Sequence, residues 1–380
     1  METSDEESNL LRTPVSRRWV LKTGAVAALG AAGLALVACD DDNDKKEGIA
    51  MTAESAQARP TLSGPSVETM TGPISTSDLG FTLMHEHIIV QAEGVAHNFP
   101  QIWEPQAELD KTLKVLKDLK AKGVDTILDL TVLGIGRDVP LLLPVVKEAG
   151  INVIAATGLY TFNELPTYFQ VRDVDAMADL FVSDITEGIQ GTDVKAAVLK
   201  CATDAPGITP GVEKVLRAAA RAHLRTGVPI STHTHAGMRR GLEQQDLFES
   251  DGVDLRRVII GHSGDSEDLD YLTKLADRGS YLGMDRFGID IILSTDKRVA
   301  VIAKLCEMGY AERMVLSHDA SVYIDSFTQD FIQEHIPNWN YFHIVDDVIP
   351  ALLQAGVSQE QVDTMTRGNP RRIFENVGTY

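Results

Sequence analysis

From Phe81 onward the chain alternates two kinds of hydrophobic pattern. Short runs of apolar and β-branched residues occupy 81–90, 124–131, 151–157, 195–201, 228–233, 257–262, 280–285 and 313–319. Each reads as a strand. Between them apolar positions recur every three or four residues, the spacing of one buried helix face. Val212, Val215, Leu216, Ala219 and His223 line such a face in a helix predicted to start at Thr209-Pro210 and stop at Gly227. The threonine can cap the first free N–H groups, the proline sits where a missing N–H costs nothing, and the glycine suits the left-handed exit. Leu109, Thr112, Leu113 and Leu116 repeat the pattern before Gly123. The eight strand starts average (313 − 81)/7 ≈ 33 residues apart, one strand-helix unit. Strict alternation predicts a parallel sheet, and eight repeats predict that it closes as an α/β (β/α)8 TIM barrel. An open doubly wound sheet is the rival. No Gly-x-Gly-x-x-Gly follows the first strand, so a dinucleotide site has no support.

The first forty residues carry a different pattern. Ser16-Arg17-Arg18-Trp19-Val20-Leu21-Lys22 precedes an uncharged run at 23–38 that ends in Leu36-Val37-Ala38-Cys39. Basic, apolar, then small is the order of a secretory signal. The arginine pair resembles a twin-arginine signal, with Val20 where those signals usually carry Phe, and Leu-Val-Ala-Cys resembles a bacterial lipobox. The resemblance implies removal of 1–38, acylation of Cys39 and a periplasmic or cell-surface protein held to the membrane by that lipid. The alternative is an uncut anchor, but the 16 apolar residues fall short of the ~20 that span a bilayer. Export in a folded state would suit an enzyme loaded with metal in the cytoplasm. Residues 39–66, acidic and then rich in Gly, Ala, Ser, Thr and Pro, offer too little apolar surface to offset their ordering entropy and read as a flexible tether. The folded body is expected at 67–380.

Composition narrows the possible partners. With 35 Lys and Arg against 55 Asp and Glu, the formal net charge is −20, and removal of 1–38 leaves it unchanged because four basic and four acidic residues go together. Phosphate backbones are held by clustered cations, so nucleic acid is not expected as a partner. Of three cysteines, Cys39 belongs to the export segment. Cys201 falls on a predicted strand and Cys306 on a predicted outer helix, so no disulfide is expected between them.

The candidate chemistry lies at strand ends. In Met84-His85-Glu86-His87 the period of two puts both imidazoles on one face of the first strand. The fourth strand carries Lys200, the fifth ends at His233, the sixth at His262 and the eighth at Asp319. A barrel brings the C-terminal ends of its strands to one mouth, where catalytic groups gather. Four imidazoles and a carboxylate suit Zn²⁺, Co²⁺, Mn²⁺ or Fe²⁺, zinc foremost, and exceed what one open catalytic zinc needs, so two divalent ions are expected. Lys200 is discordant, because an ammonium repels cations. Either it pairs with Asp319, or it has reacted with CO₂ to give a carbamate whose oxygens could bridge two ions.

Met84-His85-Glu86-His87, Leu199-Lys200, Thr232-His233-Thr234, Gly261-His262-Ser263-Gly264-Asp265, Gly283-Met284-Asp285-Arg286-Phe287-Gly288, Leu316-Ser317-His318-Asp319 and Gly368-Asn369-Pro370-Arg371-Arg372 form an ordered set. As a set they resemble the phosphotriesterase branch of the amidohydrolase superfamily, and within it the phosphotriesterase-like lactonases, from about residue 80 to 374. The resemblance implies that His85, His87 and Asp319 hold the more buried metal and His233 and His262 the more exposed one. Lys200, as N6-carboxylysine, would bridge them together with a hydroxide, and Asp319 would carry the proton away. Tyr160 and Arg286 match positions that line the pocket and place the substrate. A homodimer is implied as well. Segment 320–341 is expected to form a lid, and the chain departs from the lactonases in carrying Ala320 where an aromatic is frequent, Ser326 where Trp is common and, near Tyr160, Phe162 for a second Tyr.

The function expected from this set is metal-dependent opening of lactones, N-acyl homoserine lactones among them, with slow phosphotriester hydrolysis. An organophosphate triesterase is the alternative. From another class, a non-catalytic lipoprotein that binds a solute or metal stands as a third reading.

Overall fold

In the computed structural model residues 64–375 and Gly378 are described; segment 1–38, with Cys39, and the tether up to residue 63 lie outside them. An antiparallel hairpin of β1 (Ser66–Thr69) and β2 (Gly72–Ser75) leads into the parallel strands. These are β3 (Thr82–Val90), β4 (Thr126–Asp129), β5 (Asn152–Gly158), β6 (Val198–Thr203), β7 (Ile230–Thr234), β8 (Val258–Ile260), β9 (Tyr281–Met284) and β10 (Met314–Leu316), each paired with the next. Every one lies within a run the hydrophobic pattern marked, give or take the last residues. The ring closes beyond β10, where Asp319 N–H donates to His85 O and His87 N–H donates to Ala320 O, both at 2.9 Å. The fold is a (β/α)8 barrel.

The principal helices between the strands are α1 (Pro105–Ala121), α2 (Val139–Ala149), α3 (Val174–Thr186), α4 (Pro210–Thr226), α5 (Arg240–Ser250), α6 (Leu269–Asp277) and α7 (Thr295–Glu307). Helix α4 has the ends its sequence dictates: Thr209 accepts from Val212 N–H, and Gly227 exits at φ 77° with its N–H on His223 O. His223 is fully buried on that helix and its Nδ1 meets Val228 O at 2.7 Å, so it is a satisfied core residue.

Strand alternation divides the core in two. Leu83, Ile127, Val153, Leu199, Ile230 and Ile260 pack outward against the helices. Met84, Leu128, Ile154, Val198, Ile259 and Val315 fill the barrel. Each such fully buried aliphatic side chain contributes about 1.5–3 kcal/mol. Cys201, on β6, and Cys306, on α7, are both buried and free.

The lid foreseen at 320–341 does not begin at Ala320, which is fully buried and closes the ring. Residues Ser321–Ile324 form a further strand, β11, parallel to β3 with Ser321 opposite His87. The free N–H and C=O groups on that edge of β3 bind the chain as it leaves the barrel, and α8 (Gln329–His335) follows beyond this strand. Among the described residues no helix is long and apolar enough to cross a membrane.

Candidate metal centre

Local backbone rules deliver the side chains. On β6 Val198 faces the barrel, Leu199 faces the helices and Lys200 faces the barrel again. On β3 a register shift between Leu83 and Glu86 accommodates Met84 and His85 in succession on the inner side, with His87 following. His262 and Asp319 lie just past their strands at φ 59° and φ 54°, and Arg286 at φ 67°. These are three of the five described non-glycine residues at positive φ, a conformation that persists where the surroundings enforce it and that gathers at functional sites. Gly283 makes room beside them, since a Cβ there would lie 2.5 Å from Asp285 Oδ2.

The predicted ligands converge. His85 Nε2 and His87 Nε2 lie 3.4 and 3.2 Å from Asp319 Oδ1. His262 Nε2 is 2.9 Å from His233 Nδ1 and 3.7 Å from Asp319 Oδ2. Lys200 Nζ is 2.6 Å from His85 Nε2. All four imidazoles and the lysine are buried.

The outward nitrogen of each ring is tied down. Asp285 grips two rings at once, with Oδ2 on His85 Nδ1 at 2.8 Å and Oδ1 on His262 Nδ1 at 2.7 Å. Asp204 Oδ2 bonds His233 Nε2, and Thr131 Oγ1 sits 3.0 Å from His87 Nδ1. With the protons of His85, His262 and His233 on their carboxylate-bound nitrogens, the inner nitrogens present lone pairs. Two of these, on His233 and His262, face each other, a repulsive arrangement that a cation relieves. Tethered outer nitrogens of this kind are what metal-binding histidines use to fix ring and tautomer. The donor set therefore fits divalent metals. His85, His262 and Asp285 also form a cluster of potential ligands. Asp285 holds the outer nitrogens there and also accepts His262 N–H at 2.8 Å, so its role is to orient the rings.

Electrostatics agree with neutral rings. Burial, then the neighbouring Lys200, lowers the pKa of His85; burial lowers that of His262 well below its usual value and pushes that of His233 down to about 4. Burial would raise the pKa of Asp319, but His262, His85, a hydrogen bond from His87 and Arg286 together carry it far below the carboxylate range. Lys200 is pushed down to about 8, chiefly by burial, which enlarges its fraction of free amine, the form that adds to CO₂.

Tyr160 and Arg286 reach the same place. Tyr160 Oη lies 3.0 Å from His233 Nδ1, and burial raises its pKa. Arg286 Nε donates to Asp319 Oδ2 and its Nη1 to Asp265 Oδ2, both at 3.0 Å. Burial opposes the charge on Arg286, yet Asp265 and Asp319 raise its pKa. Cys39 lies outside the described residues.

Sequence reasoning gave no role to Asp204, Thr131, Asp265 or Asp285. A signal existed for Asp204, which lies just past the end of β6 and four positions after Lys200, at the mouth to which strand ends lead. Thr131 and Asp285 end the predicted strands 124–131 and 280–285, which places them at the same mouth but does not say which ring each meets, and Asp265 meets the site only through space.

Similarity to known proteins agrees with this geometry. A model of the phosphotriesterase family matches residues 65–374. A phosphotriesterase homology protein of Mycobacterium tuberculosis is 53% identical over 324 residues, 83% of this chain and 99% of that protein. An aryldialkylphosphatase of Saccharolobus solfataricus is 43% identical over 303 residues, 79% of this chain and 96% of that one. The solved structure of the phosphotriesterase from M. tuberculosis superposes with a TM-score of 0.82 at 53% identity, covering 83% of this chain and all of that one.

Proposed function

The chain belongs to the phosphotriesterase family, and from that premise we propose that it is a binuclear lactonase that opens lactones with an acyl or alkyl tail, N-acyl homoserine lactones among them, and hydrolyses phosphotriesters slowly. It is a hydrolase by membership. The observation that carries the finer reading is the set of imidazoles whose outer nitrogens are tethered while the inner nitrogens of His85, His87 and His262 face Asp319, that of His85 also faces Lys200, and that of His233 faces His262.

In this reading His85, His87 and Asp319 would hold one divalent ion and His233 and His262 the other, with Lys200, as a carbamate, a ligand shared by both. Bound there, the ions would polarise the oxygen of the substrate and generate a nucleophile from water near neutral pH. The remaining work falls to side chains. Asp319, kept anionic by its neighbours, accepts the proton of the attacking water. Arg286 donates to the Oδ2 of that aspartate, which leaves Oδ1 directed at the His85 and His87 nitrogens. Tyr160, its hydroxyl kept protonated by burial, can donate to a substrate oxygen beside His233.

The relative named aryldialkylphosphatase favours a second reading, an organophosphate triesterase. A phosphotriester is tetrahedral in its ground state, as a lactone becomes when attacked, so one site could serve both. Measuring kcat/KM for a homoserine lactone and an aryl phosphotriester on one preparation decides between them: a larger value for the lactone supports the first reading, and a larger value for the phosphotriester refutes it.

The proposal includes export through residues 1–38 and a lipid on Cys39, with the enzyme assembled as a homodimer. Cys39→Ser is expected to release the protein from the membrane fraction, and sedimentation tests the dimer. A mature protein that stays in the cytoplasmic soluble fraction with its N-terminus intact contradicts this part.

A further inference from the structure

Glu86 stands between two metal-site histidines, yet it takes no part in the centre they form. It points away from His85 and His87, to the outside of the barrel, and is fully buried. A carboxylate there costs more than an apolar residue unless its oxygens are matched by donors. They are matched, and all by one turn. Its Oε1 accepts from Ser317 Oγ at 2.8 Å, His318 N–H at 3.0 Å and His318 Nδ1 at 2.6 Å, and its Oε2 accepts Ala320 N–H at 3.0 Å. Ser317 Oγ in turn accepts the N–H of His85 at 2.8 Å.

The residue enclosed by these bonds is Asp319. Its neighbours on both sides donate to one carboxylate, and it is held at φ 54°. This is where β10 leaves the sheet, and Glu86 takes over as acceptor for N–H groups that a strand partner would otherwise serve.

The same turn is tied to the segment that follows α8. His318 Nε2 accepts Ile344 N–H at 2.9 Å, which leaves Nδ1 as the donor to Glu86 and fixes the tautomer. Trp339 Nε1 donates to the carbonyls of His318 and Asp319, both at 3.1 Å, and Tyr341 Oη donates to His87 O.

From this geometry we infer that Glu86 is a positioning residue for Asp319, clamping the αL turn that aims this carboxylate, and that His318 links the clamp to the segment after α8. The inference rests on the binuclear reading of the site. Glu86 acts through Asp319, so a general loss of stability must be told apart from a loss of aim.

The test is titration of metal-free wild-type protein and E86Q with Co²⁺ against a competing chelator, following the Co²⁺ absorption bands, beside thermal melting and steady-state kinetics. Glutamine keeps the shape but must turn an amide NH₂ towards Ala320 N–H or towards the donors on the other oxygen. The site of His85, His87 and Asp319 should weaken about 10- to 100-fold, the range for outer partners of metal ligands, and that of His233 and His262 less than about 3-fold. kcat should fall with KM little changed. Equal weakening of both sites, or no weakening of either in a folded variant, overturns the inference. Should E86Q not fold, H318N serves instead: its amide can still donate to Glu86 but cannot at the same time accept Ile344 N–H, so it should shift the same site in the same direction, and an unshifted site overturns the inference. Wild-type protein that binds no cation would fail the underlying reading. Wild-type protein that binds two, with E86Q binding both as tightly, would fail this inference alone.

Discussion

Replacing Asp285 with asparagine changes one oxygen of a carboxylate that serves two imidazoles. Oδ1 accepts both the backbone N–H of His262 at 2.8 Å and its Nδ1 at 2.7 Å, whereas Oδ2 meets only His85 Nδ1 at 2.8 Å. The amide oxygen therefore stays with the two donors of His262, and the amide nitrogen is left facing His85. Two donors cannot face each other, so His85 must shift its proton to Nε2, the nitrogen directed at Lys200 and Asp319. A protonated Nε2 has no lone pair for a cation. Losing the group that orients a ligating histidine costs about 10- to 100-fold in metal affinity, equivalent to about 1.4–2.8 kcal/mol. On the proposed assignment the loss should fall on the ion of His85, His87 and Asp319, with His262 keeping its orientation. Zn²⁺ titration of D285N against a chromogenic chelator measures it, and kcat/KM should drop by a similar factor. A folded variant that binds both ions as tightly as wild type would refute the tautomer argument.

Two further outcomes are expected from the same contacts. Arg298, 1% exposed, pairs with Asp265 Oδ1 at 2.7 Å and donates to the carbonyls of Leu293 and Gly264, so R298M leaves those carbonyls without this donor and Asp265 with Arg286 alone, and should cost about 1–3 kcal/mol in urea unfolding; less than about 0.5 kcal/mol would contradict the reasoning. In metal-free protein His233 stays neutral down to about pH 4 while the unfolded chain takes up its proton near 6.5, so the unfolded state binds more protons in between. That contribution is complete above pH 6.5 and is lost as pH falls towards 4, by up to about 3 kcal/mol for this residue, with His262 acting in the same direction. A urea midpoint that stays flat across that window would contradict the burial argument.

The barrel was legible because parallel strands covered on both faces read as dense apolar runs, as 151–157 and 257–262 do. Helix α4 was legible because Thr209, Pro210 and Gly227 mark its ends by local chemistry. The clustering of the candidate ligands was legible because His85 and His87, like Lys200 and His233, sit on strand faces that alternation directs inward, and His262 and Asp319 close strand-end motifs. Strand β11 was hidden, since Ser321-Val322-Tyr323-Ile324 pairs with β3 only once the barrel edge exists. The orienting groups were hidden for a related reason: His85 and Asp285 lie 200 positions apart and meet only when the ring closes. Nor does local sequence announce the αL turns at His262, Arg286 and Asp319, because none of the three is the glycine that this conformation favours.

The central claim is that distant strand ends gather paired cations around a modified lysine. An anomalous-scattering diffraction map of catalytically active crystals, collected at metal absorption edges, tests it directly. The account predicts two peaks, one beside His85, His87 and Asp319 and one beside His233 and His262, with density for a carbamate extending from Lys200 Nζ between them. Active crystals with no peak at these side chains, or with an unmodified Lys200 amine pointing at two bound ions, would contradict it.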